Sequence, residues 1–172
     1  VTIAYKGRVE HHDSSGGGGI IGEGDVQWMT SGSGILHKEY HEKNFGKEGG
    51  EMQMVQLWVN LPAKDKMTTP KYQNLNKNDL TKVELENNVG SIDIIAGEFE
   101  KNIGPASTFS PLSLFNIHLN KGKGTSFSFD KNHNTGLLVI KGSITVNNIE
   151  KAPANHFVLF ENDGKEFTVR AD

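Results

Sequence analysis

The chain has 172 residues, a net charge of −3 and no cysteine. At this length, one ordinary domain or two small ones bury roughly 70% of the unfolded surface, so folding needs no disulfide bonds. The lack of cysteine excludes thiol catalysis, cysteine-bound zinc and iron–sulfur clusters. The slightly acidic charge argues against a nucleic-acid-binding surface, and no apolar run approaches the roughly 20 residues that cross a bilayer. We therefore expect a cytoplasmic protein with no direct nucleic-acid partner and no membrane partner.

Short β-branched or aromatic runs alternate with turn signals along the chain, and 20 glycines stand against five prolines. This pattern is typical of an all-β sandwich or barrel. In chain order, the predicted strands are Val1–Tyr5, Arg8–His12, Ile20–Ile21, Val26–Met29, a short strand that ends with His37 and Glu39, Met52–Leu61, Leu80–Glu86, Gly90–Ala96, Leu112–Leu119, Thr125–Phe129, Gly136–Ile140, Ser143–Val146, Phe157–Phe160 and Glu166–Arg170. No long helix is predicted.

Two Lys-Gly turns punctuate this series, at residues 6–7 and at residues 141–142. We interpret both as hairpin turns that join the strands on either side, and their recurrence indicates two copies of one β unit. The polar or proline-containing segments 40–51, 63–78 and 97–111 are predicted as connectors. Because strand-like sequence stands at both ends, we expect the chain to be a piece of a longer protein.

His37 and Glu39 stand two residues apart, just after the glycine-rich bend Ser31–Gly34. Side chains at positions i and i+2 of a strand point to one face, so this spacing places an imidazole beside a carboxylate. Such a pair suits Fe, Mn, Ni, Cu or Zn, although catalytic metal sites usually have at least three protein ligands. The alternative is a strand with an ordinary histidine and a solvated glutamate.

The other histidines give weaker signals. His11 and His12 precede Asp13, but adjacent strand residues point to opposite faces, so at most one of the two faces inward. We favour a solvated hairpin end for both. The remaining histidines, which we expect to be solvated or satisfied by polar neighbours, are His41, His118, His133 and His156.

Two further groups of side chains have a functional and a structural interpretation. Five apolar residues near the His37–Glu39 pair could wall a flat aromatic ligand, although core packing is the default: Trp28, Met29, Met52, Met54 and Trp58. A small basic cluster, Lys64, Lys66 and Lys71, is expected to be a solvated loop.

Two long blocks of the sequence, residues 24–39 (GDVQWMTSGSGILHKE) and residues 56–67 (QLWVNLPAKDKM), closely resemble the pirin family of bicupins. The resemblance extends over nearly the whole chain and is less distinctive after residue 109. It implies two cupin β-barrels. Residues 1–96 would form the first barrel with its connector, truncated at the N-terminus, and residues 97–172 a metal-free second barrel, truncated at the C-terminus.

The resemblance also implies a metal, usually iron, held in the first barrel by three histidines and one glutamate. His37 and Glu39 match two of these positions, and the His-x-His motif that supplies the others would stand ahead of Val1. Fe(II) is the expected divalent metal, with Mn, Ni, Cu and Zn as alternatives. With half of the ligand set, residues 1–172 are expected to bind metal weakly or not at all.

Two functions follow from the resemblance. The first is a metal-dependent quercetin or flavonol 2,3-dioxygenase, in which a flavonoid is the small-molecule partner and Glu39 is both ligand and catalytic proton acceptor. The second is a non-enzymatic, iron-binding regulatory protein whose partner is a transcription factor or a metabolic enzyme.

Overall fold

The computed structural model describes all residues, 1–172, and is almost entirely β. The strands are β1 (Thr2–Lys6), β2 (Val9–Asp13), β3 (Gly18–Ile21), β4 (Val26–Thr30), β5 (His37–His41), β6 (Gln53–Gln56), β7 (Lys71–Leu75), β8 (Thr81–Leu85), β9 (Gly90–Ala96), β10 (Glu98–Phe99), β11 (Asn102–Ile103), β12 (Leu114–Leu119), β13 (Gly124–Ser128), β14 (Gly136–Leu138), β15 (Ser143–Val146), β16 (Glu150–Pro153), β17 (Phe157–Leu159) and β18 (Glu166–Ala171). The all-β prediction is confirmed.

Helical structure is confined to short segments. The helix α1 spans Lys43–Glu48, and single 3₁₀ turns lie at Ala63–Asp65, Lys77–Asp79 and Glu86–Asn88. None of these helices has the length and hydropathy of a membrane-spanning segment.

The chain divides into two compact units, each built from two stretches of sequence. Unit 1 comprises Val1–Lys82 and Asp93–Asn116, and unit 2 comprises Val83–Ile92 and Ile117–Asp172. The predicted assignment of residues 1–96 and 97–172 to two cupin barrels stays a prediction.

Unit 1 contains a four-stranded sheet, β6-β1-β4-β7, and a three-stranded sheet, β3-β2-β5. The four-stranded sheet is amphipathic, because side chains alternate between its faces. One face packs an apolar cluster with the end of β9, formed by Ile3, Val26, Trp28, Leu75, Ile95 and Ala96. The register places a polar row across the opposite face, formed by Gln56, Thr2, Gln27 and Asn74.

Unit 2 contains the sheet β13-β18-β15-β16 and the two-stranded sheet β14-β17. Phe127 pairs with Phe167 across β13 and β18, and their ring centroids are 5.5 Å apart. Phe129 and Phe160 lie 6.1 Å and 4.3 Å from the ring of Phe167. Aromatic packing therefore contributes a large part of the interior of this unit, beside the buried aliphatic residues Val139, Val146, Ala152 and Val169.

Both predicted Lys-Gly hairpins are wrong. Strand β1 pairs with β4 and β6, whereas β2 pairs with β3 and β5. In the second half, β14 pairs with β17, whereas β15 pairs with β16 and β18. Gly7 and Gly142 have left-handed φ angles of 81° and 78°, as the sharp turns require. Turn chemistry predicts the change of direction, but the sheet that receives the next strand is set by packing. In both places the turn moves the chain from one sheet to another.

Three other local predictions need correction. The connector 63–78 contains β7, whose sequence Lys-Tyr-Gln-Asn-Leu lacks apolar alternation because Leu75 is its single buried apolar residue. The long strand predicted over residues 52–61 is limited to β6, and β5 begins at His37 instead of ending near Glu39.

The predicted polar loop 40–51 contains α1. Glu42 caps this helix, since its carboxylate accepts hydrogen bonds from the backbone N–H groups of Asn44 and Phe45 at 2.9 and 3.0 Å. Arg8 donates to the same carboxylate at 3.1 Å. Glutamate is not among the residues that usually mark a helix start, so the sequence gives little signal here.

Candidate functional site

The register of β2 and β5 brings four polar side chains to one face of the three-stranded sheet. Asp13 pairs with His37, and His11 pairs with Glu39. Directly opposite residues in an antiparallel pair share a face, and so do residues two apart on one strand. The two histidines and two carboxylates therefore form a compact polar group, which we call the inner cluster: His11, Asp13, His37 and Glu39.

His11 and His12 separate as strand alternation requires. His12 lies on the outer face, where its Nε2 is 3.1 Å from Glu10 Oε1 and its ring stacks on Tyr40 at 5.8 Å. His11 is only 1% exposed. At most one of the two points inward, as predicted, but a solvated His11 is wrong. Its strand is the central strand of the sheet β3-β2-β5, not an exposed hairpin arm.

His37 and Glu39 lie side by side, as their spacing predicts. The distance from His37 Nε2 to Glu39 Oε1 is 3.4 Å, and both side chains are just under one-fifth exposed. This geometry brings an imidazole nitrogen and a carboxylate oxygen close together. An imidazole and a carboxylate together suit a divalent metal ion.

Glu39 is held by donors from the four-stranded sheet. Thr2 Oγ1 donates a hydrogen bond to Glu39 Oε1 at 3.2 Å. Gln56 Nε2 donates to Glu39 Oε2 at 2.9 Å and to Thr2 Oγ1 at 3.2 Å. Each carboxylate oxygen therefore has a neutral donor, which fixes its position without cancelling its charge. Sequence reasoning missed both donors because they come from strands far along the chain.

His37 has a second partner on its other ring nitrogen. The hydroxyl of Tyr72 in β7 lies 2.9 Å from His37 Nδ1. Burial raises the pKa of Tyr72 to about 12, and the negative charges of Asp13 and Glu39 act in the same direction. The Tyr72 ring stacks on His11, with ring centroids 5.3 Å apart. Tyr72 was likewise missed, since it lies in a segment predicted to be a connector.

Beside this pair lies a cavity of about 540 Å³ in unit 1. His37, Glu39 and Gln27 are among its polar lining residues. Of the five apolar residues that could wall a ligand, Trp28, Met29 and Trp58 line the cavity, whereas Met52 and Met54 do not. Trp28 is buried, while Trp58 is 93% exposed. Core packing is therefore the correct interpretation for Trp28 and is wrong for Trp58.

Several buried polar atoms around the site lack a hydrogen-bond partner. They are both ring nitrogens of His11, Oδ2 of Asp13 and Nε2 of Gln27. Burial lowers the pKa of His11, and the neighbouring His37 lowers it further. Most buried polar groups in proteins are hydrogen-bonded, and exceptions call for a functional or structural explanation. The four unpartnered atoms therefore indicate that this interior has a binding role.

His37 and Glu39 fit the donor chemistry of a divalent metal but do not complete a site. No group of three or more histidine, aspartate or glutamate side chains in the structure is arranged to hold a metal ion.

The basic residues Lys66 and Lys71 of the predicted basic cluster each contact a neighbouring side chain. Lys66 donates to Asn60 Oδ1 at 2.7 Å, and the Lys71 ammonium lies 5.3 Å from the ring centroid of Phe109.

Comparison with known proteins identifies relatives of this chain. The family model described as Pirin matches residues 1–59. A Pseudomonas aeruginosa protein named "putative quercetin 2,3-dioxygenase" is 49% identical over 146 residues, which cover 85% of this chain and 51% of the relative. Pirin-1 of Arabidopsis thaliana is 34% identical over 163 residues, covering 93% of this chain and 54% of its own. The chain thus spans about half the length of these curated relatives.

A solved structure gives the same result for the fold. The crystal structure of a quercetin 2,3-dioxygenase from Acinetobacter baumannii superposes with a TM-score of 0.93 at 42% sequence identity. The match covers 99% of this chain and 59% of that one.

The β fold, matched in this way, together with a histidine and a carboxylate on an inward strand face, defines a protein of the cupin class. Within that class, the chain belongs to the pirin family. Membership in this family implies a metal cofactor.

Proposed function

We propose that the protein is a metal-dependent dioxygenase that opens the ring of flavonols such as quercetin. The observation that carries the proposal is the pairing of His37 Nε2 with Glu39 Oε1, 3.4 Å apart, on the wall of a cavity large enough for a small aromatic ligand. The names of relatives that are 49% and 42% identical support the same substrate class.

His37 Nε2 and the Glu39 carboxylate would hold the metal, which we propose to be Fe(II), with Mn, Ni, Cu and Zn as alternatives. The remaining ligands would come from the His-x-His motif that the family resemblance expects ahead of Val1. When bound, the metal would supply Lewis-acid and electron-transfer chemistry between a deprotonated flavonol and O₂.

Glu39 is proposed to take the proton of the flavonol hydroxyl. Its two oxygens are held by Thr2 and Gln56, both neutral, so the carboxylate is positioned yet keeps its negative charge. A general base needs a fixed position within hydrogen-bond reach of the proton it accepts. The same two donors would keep the carboxylate in place once the proton has arrived.

The cavity walls suit a flat, polyhydroxylated ligand. The exposed Trp58 and the half-buried Phe109 are among its lining residues, and planar rings pack well on aromatic side chains. The unpartnered Nε2 of Gln27 offers a donor to a ligand oxygen.

The test uses the full-length gene product, freed of metal and then loaded separately with Fe(II), Mn, Ni, Cu and Zn. We expect loss of flavonol absorbance with release of carbon monoxide for at least one metal. Glu39→Gln and His37→Ala should lower kcat/KM by at least about 100-fold, since each removes a ligand. His156→Ala, at an exposed position in unit 2, is the matched control.

Elemental analysis decides the negative case. A protein shown to hold each metal in turn, yet unable to consume flavonol with any of them, would overturn the proposal. Unchanged turnover in Glu39→Gln would overturn the role of that residue.

A further inference from the structure

We propose that Tyr72, backed by Asp13, is a positioning residue that holds His37 in the tautomer whose Nε2 lone pair faces Glu39. This inference rests on the proposed function, because it concerns how His37 would be prepared as a metal ligand. It assigns a role to Tyr72, which lies in a segment predicted as a connector, and to Asp13 with the glycine-rich loop that follows it.

The two ring nitrogens of His37 have different surroundings. Nδ1 is 2.9 Å from the Tyr72 hydroxyl, and Nε2 is 3.4 Å from Glu39 Oε1. A neutral imidazole carries its proton on one nitrogen and a lone pair on the other. With the proton on Nδ1, that nitrogen donates to Tyr72 and Nε2 is free to bind a metal. With the proton on Nε2, that nitrogen can donate towards Glu39 Oε1, the Nδ1 lone pair accepts from Tyr72, and metal binding at Nε2 is blocked.

The hydroxyl of Tyr72 has one proton to donate, so its direction selects the tautomer of His37. Asp13 is the neighbouring group that can take this hydrogen bond. It pairs with His37 across β2 and β5, its negative charge helps to raise the pKa of Tyr72, and its buried Oδ2 has no hydrogen-bond partner. When Tyr72 donates to Asp13, its oxygen is left as an acceptor for the N–H of His37.

Asp13 is fixed for this purpose by the loop that follows it. Its Oδ1 accepts hydrogen bonds from the Ser15 backbone N–H at 2.6 Å, the Ser15 hydroxyl at 2.5 Å and the Gly17 backbone N–H at 3.1 Å. A Cβ atom at Gly17 would lie 2.3 Å from Oδ2 of Asp13. Only glycine therefore leaves Oδ2 in its place, and the loop leaves one carboxylate oxygen for Tyr72.

The Tyr72 ring is also fixed by packing. It stacks on His11 at 5.3 Å with an interplanar angle of 29°, and it lies 6.1 Å from the ring of His37. Packing thus holds the Tyr72 hydroxyl in its place, 2.9 Å from His37 Nδ1. Histidine ligands of metals usually donate their other ring N–H to such a partner, and loss of the partner typically weakens metal binding 10- to 100-fold.

The first measurement is the tautomer of His37 in the metal-free, full-length gene product, read from ¹⁵N chemical shifts of the histidine side chains. We expect a proton on Nδ1 in the parent protein. In Asp13→Asn the amide can donate towards Tyr72, so the proton should move to Nε2. In Tyr72→Phe the preference should be lost. Tyr40→Phe, on the outer face of β5, is the matched control and should leave the tautomer unchanged.

The second measurement is the affinity for Co(II), followed by visible absorption and by competition with a chelator. Tyr72→Phe and Asp13→Asn should bind Co(II) about 10- to 100-fold more weakly than the parent, while Tyr40→Phe should bind equally well. Unfolding curves identify any variant that fails to fold, in which case the other variant carries the test.

The outcomes separate this inference from the proposed function. A proton on Nε2 in the parent protein, or an unchanged tautomer in both folded variants, overturns the inference. Unchanged Co(II) affinity in both variants also overturns it. A parent protein that holds no Co(II) overturns the proposed metal site, whereas the tautomer measurement still decides the role of Tyr72.

Discussion

The interiors of the two units contain different kinds of side chain, polar in unit 1 and aromatic in unit 2. Between the two sheets of unit 1 lie His11, Glu39, Thr2 and Gln27, with four buried polar atoms of the site left without partners. In unit 2, the comparable space next to β13 and β18 is filled by rings that include Phe127, Phe129, Phe160 and Phe167. Two histidines of unit 2, His118 and His156, are exposed.

This difference shows where binding and where stability are concentrated. Packed aromatic rings contribute burial and dispersion without unsatisfied polar groups. A buried imidazole or amide without a partner costs about 1–3 kcal/mol of stability. A polar interior in unit 1 is therefore expected to be retained for what it binds, while unit 2 is expected to tolerate little change to its rings.

The largest effect is expected from Phe167→Ala. This side chain is 6% exposed and contacts three other phenylalanine rings, so its truncation should lower the free energy of unfolding by about 3–5 kcal/mol. Urea denaturation followed by far-ultraviolet circular dichroism measures the change. Leu159→Ala, at a position 71% exposed in the same unit, is the control and should change stability by less than about 0.5 kcal/mol. A loss below about 1 kcal/mol in Phe167→Ala would contradict the claim that packed aromatic rings stabilise unit 2.

An opposite and smaller effect is expected from His11→Leu in the metal-free protein. Leucine removes two unpartnered nitrogens, so the free energy of unfolding at pH 7.5 should stay equal or rise by about 1–3 kcal/mol. His12→Leu on the outer face is the matched control and should change it little. Tryptophan fluorescence reports this unfolding, because Trp28 and Trp58 both belong to unit 1. A clear loss of stability in His11→Leu would show that the buried imidazole stabilises the fold.

The same residue gives the parent protein a pH dependence. Burial lowers the pKa of His11 in the folded state below its ordinary value of 6.5, so the unfolded state binds the additional proton first as pH falls. Stability is therefore fully present above about pH 6.5 and should decrease below it. The difference between His11→Leu and the parent should widen between pH 7.5 and pH 5.5. In unit 2, hydrogen bonds from Thr145 lower the pKa of Asp172, whose contribution should be lost only below about pH 4.

The smallest effect on stability is expected from Trp58→Ala. The side chain is 93% exposed, so the free energy of unfolding should change by less than about 0.5 kcal/mol. Because Trp58 lines the cavity, the dissociation constant for a flavonol should rise roughly three- to tenfold. Quenching of the remaining Trp28 fluorescence measures it. Phe157→Ala changes an exposed aromatic residue of unit 2 and should leave flavonol binding unchanged. If Trp58→Ala binds the flavonol as tightly as the parent protein does, Trp58 does not contribute to flavonol binding.

Local sequence was sufficient for features that depend on neighbouring residues. Alternation along one strand placed His37 beside Glu39 and separated His11 from His12. The β-branched run between turn signals identified the apolar strand β9, whose limits Gly90–Ala96 match the prediction. The side-chain placements need only the twofold period of a strand, which is a property of the backbone.

Strand pairing could not be predicted in the same way. The Lys-Gly turns were located correctly but given the wrong strand partners, and β7 was missed because Leu75 is its single buried apolar residue. Tyr72 therefore escaped notice, although it contacts His37 directly. A polar strand is stabilised by the neighbours that satisfy it, and a single stretch of sequence does not contain those neighbours.

The sequence by itself determined the all-β class, the likeness to pirins and the shared face of His37 and Glu39. Tertiary structure alone decided that His11 is buried, that Thr2 and Gln56 hold Glu39, and that Tyr72 and Asp13 stand behind His37. The reason is the range of the interactions. Strand alternation acts over two residues, whereas the hydrogen bonds from Thr2 to Glu39 and from Tyr72 to His37 join residues 37 and 35 positions apart.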